Sequence, residues 1–267
     1  MTETTGNNAF ELVGERGWRR GFGNLLRAGF NSWWKTSSWW IQVLIWTAMI
    51  NGMLAAVLFA SGDIDYVEGT MIYCVFAGLF PSIAVIIIMQ GAIVGEKESG
   101  TAAWVLSKPV SRSSFILSKL IANSVGVLVT MTLIPGILAF IELSIAKGEL
   151  LSPINFLGGL LVIALNLLYY LTLTLMLGTL FSKRGPVIGI ALALAFGQQL
   201  LFGVLPLLAY VLPWTLVVPI DGLAGESIAA ALILGLDPYS IIPVISIFIQ
   251  TLIFIAVSLW RFEREEF

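Results

Sequence analysis

The sequence predicts an all-α polytopic membrane protein with six transmembrane helices. Hydrophobic residues make up 58% of the chain and charged residues only 11%, and the mean hydropathy is +0.95, which is far from the values of soluble domains. Six apolar runs are long enough to cross a hydrocarbon core about 30 Å thick, which takes about 20 helical residues. The runs are continuous, whereas the strands of a membrane β-barrel would alternate in hydrophobicity.

A polar tail, residues 1–15, and a mixed segment, residues 16–37, precede the first apolar run. Successive residues of a helix are about 100° apart, which places one set of apolar side chains within a single arc: Trp18, Phe22, Leu25, Leu26 and Trp33. Cations and amides lie largely opposite: Arg16, Arg20, Asn24, Arg27, Asn31 and Lys35. This pattern is typical of an amphipathic interfacial helix lying in the membrane plane. A disordered basic arm is the alternative, since Gly21 and Gly23 disfavour a helix.

The transmembrane domain covers residues 38–260, and a short tail, residues 261–267, follows it. Its predicted spans are 39–60, 70–94, 120–146, 156–181, 187–212 and 241–260. With these spans, 13 of the 14 Lys and Arg residues fall on one side of the membrane and only Lys147 falls on the other. The positive-inside rule therefore predicts cytoplasmic N- and C-termini. We expect the chain to lie in the cytoplasmic membrane.

A polar stretch, GEKESGTAAWVLSKPVSRSSFILSK, separates the second and third predicted spans at residues 95–119. Its first half is expected to form a short helix with Glu96 and Glu98 near the positive end of the helix dipole. Pro109 should end this helix, and Ser111 is placed to cap the next one. A simple connection needs only a few residues, so this length favours a docking surface over an ordinary loop.

The same stretch resembles the signature of ABC type-2 permeases, the membrane subunits of many ABC exporters. That signature has a Glu at the cytoplasmic end of the second span, then Gly-Thr, a hydrophobic run, Pro-(Val/Leu)-Ser-Arg and a Lys entering the third span. Trp104 and Lys108 differ from the aliphatic residues of the family pattern. The residues to which the resemblance assigns coupling or ATPase docking are Glu96, Lys97, Glu98, Gly100, Thr101, Trp104, Leu106, Pro109, Ser111, Arg112 and Lys119.

The resemblance implies a permease subunit that couples ATP binding and hydrolysis in a separate ATPase subunit to export of a substrate. ATP and Mg would be bound by the ATPase partner, and the assembly would contain a second permease copy, as a homodimer or a related heterodimer. The sequence has no phosphate-binding Gly-x-x-x-x-Gly-Lys-(Ser/Thr) motif, and its cytoplasmic segments are too small for a nucleotide-binding domain. We also expect contact with membrane lipid, and we expect no binding of nucleic acid.

Enzymatic chemistry in this chain is not expected. Histidine is absent, Cys74 is the single cysteine, and Glu142, near the outer boundary of the third span, is the only charged residue within the predicted spans. A nucleophile–base pair, a carboxylate dyad or a metal site would need more than these groups. A membrane anchor that recruits a cytoplasmic partner remains the alternative function. An ion-gradient-driven transporter comes third, since such proteins usually carry an acid or a broken-helix ion site near the midplane.

Polar residues inside the spans are candidates for a substrate path, because they are costly against lipid and tend to face the interior of a bundle. Gln198 and Gln199 form the strongest pair, with Asn51 and Asn166 as further candidates; hydrogen bonding between helices is the alternative role. Residues 213–240, on the outer side, include an apolar run too short to cross the membrane. They are expected to form a re-entrant gate or a cap.

Overall fold

The computed structural model describes residues 17–60, 65–202, 204–220 and 225–265, and this part of the chain contains no β-strand. Six helices are long and apolar enough to cross a membrane, which confirms the predicted fold class. They are α2 (Ser38–Ala60), α3 (Tyr66–Glu98), α5 (Arg112–Lys147), α6 (Pro153–Leu180), α7 (Arg184–Phe202) and α10 (Ile242–Glu263). The predicted tail 1–15 and Arg16 lie outside the described residues, as do residues 266–267 of the predicted C-terminal tail.

Shorter helices connect or flank the spans: α1 (Phe22–Trp34), α4 (Thr101–Leu106), α8 (Trp214–Val217) and α9 (Ile228–Leu234). Single 3₁₀ turns occur at Gly17–Arg19 and Pro206–Tyr210. The chain alternates direction, so residues 95–119, 181–184 and 261–265 come together at one end of the bundle. We term this end the basic end; the charge distribution predicts that it is cytoplasmic.

Helix α6 lies at the centre of the bundle. Of the 18-residue apolar stretch that identifies each span, 72% is buried in α6, whereas 22–44% is buried in the other five spans. It packs against α3, α9 and α10, and glycines allow the closest approaches. A Cβ on Gly159 would lie 2.4 Å from Ile233 Cγ1 of α9, and a Cβ on Gly178 would lie 3.1 Å from Ile93 of α3. Small residues at such positions let membrane helices pack without the hydrophobic driving force that water provides.

Helix α1 falls within the predicted amphipathic segment and runs alongside the start of α5; its placement in the membrane plane stays a prediction. The contacts between the two segments follow the same order along both of them. Gly21 approaches Val110, Gly29 approaches Ala122, and Trp33 packs over Gly126, while Trp33 Nε1 donates a hydrogen bond of 3.0 Å to Asn123 Oδ1. Trp33, from the predicted apolar face of α1, is therefore packed against α5.

The fifth span is shorter than predicted. The sequence predicted a helix over 187–212, but α7 runs from Arg184 to Phe202. Hydropathy stays high beyond this point, but Pro206 has no N–H group and disfavours a helical conformation at the preceding residue. Leu205 accordingly has φ −134° and ψ 83°, and a separate 3₁₀ turn begins at Pro206.

The second and third spans are longer than predicted. Helix α3 continues through Glu98, beyond the predicted 70–94, and α5 begins at Arg112, ahead of the predicted 120–146. Glu96 and Glu98 therefore lie at the carboxyl end of α3 and do not start a short helix. The break comes at Gly100, whose φ of 73° favours glycine, and α4 follows from Thr101. The remaining spans differ from their predicted bounds by three residues or fewer: Ser38–Ala60, Pro153–Leu180 and Ile242–Glu263.

Candidate functional site

Helix α4 and the turn after it form the outermost part of the stretch 95–119. Ala102 is fully buried, which anchors the helix, while Trp104 is 65% exposed. The Lys108 ammonium lies 5.0 Å from the centre of the Trp104 ring, a distance typical of a cation–π contact. Leu106 is half-buried against the core, and Thr101 and Pro109 are exposed. The segment thus presents an aromatic and a cationic side chain to the outside from a fixed base.

Ser111 caps the start of α5, as its residue type predicted. Its hydroxyl oxygen accepts a hydrogen bond of 3.0 Å from the backbone N–H of Ser114, which satisfies one of the free donors of the first helical turn. Its own N–H donates to the Arg20 carbonyl oxygen at 3.0 Å. The turn after α4 is therefore attached to the segment that precedes α1.

Two ion pairs connect the carboxyl end of α3 to neighbouring spans. Glu96 pairs with Lys119 of α5, with each side chain about a quarter exposed. Glu98 Oε2 lies 2.7 Å from Arg184 Nε at the start of α7, and this pair is more exposed. Arg184 was predicted only as one of the cytoplasmic cations, so its partner was missed. The end of α3 is thus joined by charge to both α5 and α7.

A third ion pair joins α3 to the chain terminus. Lys97 Nζ lies 2.7 Å from Glu265 Oε1, and the lysine side chain is only 7% exposed. It also donates to the Thr179 carbonyl oxygen at 3.4 Å and lies 5.8 Å from the Phe262 ring centre. Lys97 was among the predicted residues, but Glu265 was not.

Arg112 holds the carboxyl end of α10. Its Nη1 donates to the backbone carbonyl oxygens of Glu263, at 2.8 Å, and of Glu265. A cation at this position complements the negative end of the helix dipole and satisfies carbonyl groups that lack helical partners. Ser113 Oγ donates to Glu263 Oε1 at 2.7 Å, and the Phe115 and Phe262 rings stack in parallel at 5.4 Å.

The structure thus brings the predicted charged residues of the stretch into one connected group, which we term the basic-end network. It consists of Glu96, Lys97, Glu98, Arg112, Lys119, Arg184, Glu263 and Glu265. Through it the end of α3, which leads into α4, is joined to α5, α7 and α10. The coupling role of the predicted residues stays a prediction.

The predicted substrate-path pair is divided by the structure. Gln198 is fully buried; its Nε2 donates to the Tyr170 hydroxyl at 2.8 Å and its Oε1 accepts from the Trp214 N–H at 3.0 Å. Gln199 is exposed on the other face of α7. Gln198 therefore ties α7 to α6 and α8, in the manner of a hydrogen bond between helices.

The two predicted asparagines lie at separate helix contacts. Asn51 Nδ2 donates to the Pro135 carbonyl oxygen at 3.0 Å and to Glu142 Oε2 at 3.2 Å, and so joins α2 to α5. Asn166 Nδ2 donates to the Gly78 carbonyl oxygen at 3.0 Å, and so joins α6 to α3 beside Pro81. The structure does not gather these asparagines with the glutamines into one path.

At the end opposite the basic end, the predicted gate or cap is packed onto the bundle. Ile228, Ala229 and Ala230 of α9 are buried against α6 and α3, while Asp221 lies outside the described residues. The Tyr239 hydroxyl donates to the Ala209 carbonyl oxygen at 3.4 Å. Burial raises the pKa of Tyr239 above its ordinary value, so this phenol stays a neutral donor.

Metal-ligating side chains do not cluster within the described residues: no group of three or more His, Cys, Asp or Glu residues is found there. Cys74 is buried and unbridged.

Comparison with known protein families identified a match. The family described as ABC-2 family transporter protein matches residues 36–267. This range covers all six spans and the basic-end network. No curated protein matched the chain.

Proposed function

Because the chain belongs to the ABC-2 transporter family and is a permease subunit of an ABC transporter, we propose that it exports a substrate in response to ATP hydrolysis. Hydrolysis takes place in separate ATPase subunits, which bind ATP and Mg, and this chain contributes no catalytic residue. Its task is to convert the closing of the ATPases into movement of its spans.

The observation that supports this proposal most directly is the basic-end network. Helix α4 presents Trp104 and Lys108 outward, and the charged groups beside it join four of the six spans. A push on α4 would therefore reach α3, α5, α7 and α10 together. Contacts that join neighbouring helices in this way give a displacement a physical route from one span to the next.

Helix α3 also has a place where such a displacement can be absorbed. Residues Gly91–Gly95 form a π-helical turn immediately before Glu96. Wide turns of this kind are rare and frequently lie at functional sites. We infer that the end of α3 tilts about this turn when α4 is pushed, while the ion pairs carry the tilt to the neighbouring spans.

The remaining features of the proposal concern the assembly. We infer a complex of two permeases with two ATPases in the cytoplasmic membrane, with the basic end facing the cytoplasm. The first and sixth spans are only 28% and 22% buried within one chain. These faces are available for lipid and for a second permease copy, which both offer apolar surface.

The test is to purify the chain with the ATPase subunit that accompanies it from its native membrane and to measure ATP hydrolysis in proteoliposomes. Trp104→Ala should lower both ATPase retention and permease-stimulated hydrolysis. Trp260→Ala is the matched control, because Trp260 is another exposed tryptophan with a cation, Arg264, 4.3 Å from its ring centre. Equal effects of the two substitutions would contradict docking at α4. A bound ATPase whose hydrolysis never responds to the permease would favour a membrane anchor instead.

A further inference from the structure

A polar cavity of about 310 Å³ lies between α1, α2, α3 and α5, on the side of the bundle near the basic end. It is partly open, and its polar lining residues are Ser32, Ser38, Gln42, Glu96, Lys119 and Asn123. A volume of this size is at the lower end of the range for small-molecule sites. The residues predicted as a substrate path, Gln198, Gln199, Asn51 and Asn166, are not among those lining this cavity.

Some lining groups already form hydrogen bonds within the protein, and these groups shape the cavity. Asn123 accepts from Trp33 Nε1 at 3.0 Å and donates to the Lys119 carbonyl oxygen at 2.8 Å. Gln42 Oε1 accepts from Trp46 Nε1 at 2.7 Å. These bonds fix the orientation of both amides, and they leave Gln42 Nε2 as a donor that forms no hydrogen bond with another described residue.

Other lining groups retain capacity for a ligand. The Ser32 hydroxyl makes no hydrogen bond of its own to a described side chain or carbonyl. Glu96 and Lys119 pair with each other but remain 25% and 24% exposed. An ammonium group has three donors and a carboxylate has two acceptor oxygens, so neither is exhausted by the pair. The cavity therefore offers a cation with neutral donors and, beside them, an anion.

The position of the cavity indicates what can reach it. Ser38 and Gln42 belong to the first turns of α2, and the exposed tryptophans Trp34, Trp39 and Trp40 lie next to them in sequence. Tryptophans are enriched at the boundary between hydrocarbon and water, at the depth of lipid headgroups. The most abundant molecule at this depth is the phospholipid itself.

We propose that this cavity binds the headgroup of a zwitterionic phospholipid, one that carries both a phosphate and an ammonium. Lys119, Ser32 and Gln42 Nε2 hold the phosphate, and Glu96 holds the ammonium. The balanced Glu96–Lys119 pair favours a headgroup with both charges over one with a single negative charge, since an added anion alone would meet the Glu96 carboxylate. A lipid bound here connects α1 and α2 with the ends of α3 and α5.

The experiment measures lipid binding to the purified full chain in detergent by native mass spectrometry, with phosphatidylethanolamine and phosphatidylglycerol as probes. We expect wild-type protein to retain phosphatidylethanolamine preferentially. Lys119→Gln should weaken this binding about tenfold, because a hydrogen-bonded charge is removed. Lys147→Gln is the matched control, since Lys147 pairs with Glu149 at the opposite end of α5.

A second variant guards against loss of folding. Ser32→Ala combined with Gln42→Leu removes two donors, leaves the Glu96–Lys119 pair intact and should weaken binding about fivefold. Unchanged retention in both variants overturns the proposal, as does equal retention of phosphatidylglycerol. Glycerophosphoethanolamine, which has no acyl chains, provides the last arm: displacement of the lipid at equimolar concentration would identify a soluble ligand and overturn the lipid source.

Discussion

The basic end and the interior of the bundle are both held by polar contacts between helices, but the contacts are of different kinds. At the basic end the partners are charged: Glu96–Lys119 and Glu98–Arg184 are partly exposed, and Lys97–Glu265 is largely buried. In the interior they are neutral amides that bond to a carbonyl or a hydroxyl, as Gln198 and Asn166 do. Charged groups near water can exchange partners for water, whereas buried amides in lipid have no such substitute.

This difference assigns different roles to the two regions. Contacts that can be exchanged at low cost are suited to a part that moves, and contacts that have no alternative are suited to a part that keeps its arrangement. Substitutions at the basic end should therefore reduce coupling and leave the fold intact. Substitutions of the interior amides should reduce stability first.

The largest effect is expected for Arg112→Leu. This substitution removes the donors that hold the carboxyl end of α10 and should lower permease-stimulated ATP hydrolysis in proteoliposomes about tenfold. Membrane insertion and the thermal unfolding midpoint should stay near their wild-type values.

Arg264→Leu is the control for this prediction, because it removes another arginine of the basic end, which stacks on Trp260. Unfolding of the Arg112→Leu variant, or an equal loss of activity in both variants, would contradict the claim that substitutions at the basic end reduce coupling and leave the fold intact.

A charge exchange tests the pair between α3 and the terminus. Lys97→Glu and Glu265→Lys should each lower stimulated hydrolysis about fivefold, because each puts two like charges in the largely buried place where the wild type has an ion pair of 2.7 Å. The double variant restores the opposite charges and should recover most of the activity. Additive losses in the double variant would show that the two residues act independently.

The sequence predicted the six spans and the stretch 95–119 but not the pair between Lys97 and Glu265, and this difference has a physical cause. The six spans and the stretch 95–119 are visible locally, because long apolar runs and the signature residues lie together in the chain. Lys97 and Glu265 are 168 residues apart, and a single charged residue near the terminus gives no pattern that names its partner. The predicted end of the fifth span was wrong because hydropathy does not register the backbone restriction at Pro206.

Gln198 and Gln199 show the same limit at adjacent positions. Both are polar residues in an apolar span, and only the helix rotation decides that one is buried and the other exposed. Gln198→Leu should lower the free energy of unfolding by about 1–2 kcal/mol, since hydrogen bonds between membrane helices contribute about 0.6 kcal/mol on average and up to about 1.7 kcal/mol. Gln199→Leu should change it little.

The measurement for this pair is the thermal unfolding midpoint of each variant in detergent, with stimulated hydrolysis measured alongside. A lower midpoint for Gln198→Leu with nearly normal hydrolysis per folded molecule is the expected result. Loss of hydrolysis without loss of stability would instead place Gln198 on the substrate path and would remove the distinction between the two regions.

The smallest effect is expected for Glu98→Gln. The Glu98–Arg184 pair is the most exposed of the three ion pairs in the basic-end network, with side-chain exposures of 37% and 55%, and exposed pairs contribute about 0–1 kcal/mol. Its loss should change the unfolding midpoint little and lower stimulated hydrolysis by about twofold.

Because salt screens exposed charges with a Debye length of about 3 Å at 1 M, the difference from wild type should disappear at that ionic strength. The difference between Arg112→Leu and wild type should persist there, because hydrogen bonds from Arg112 to backbone carbonyl groups depend on contact geometry and are screened less than an exposed ion pair. A salt-independent defect in Glu98→Gln would mean that this pair, too, acts as a fixed structural contact, and the basic end would then resemble the interior.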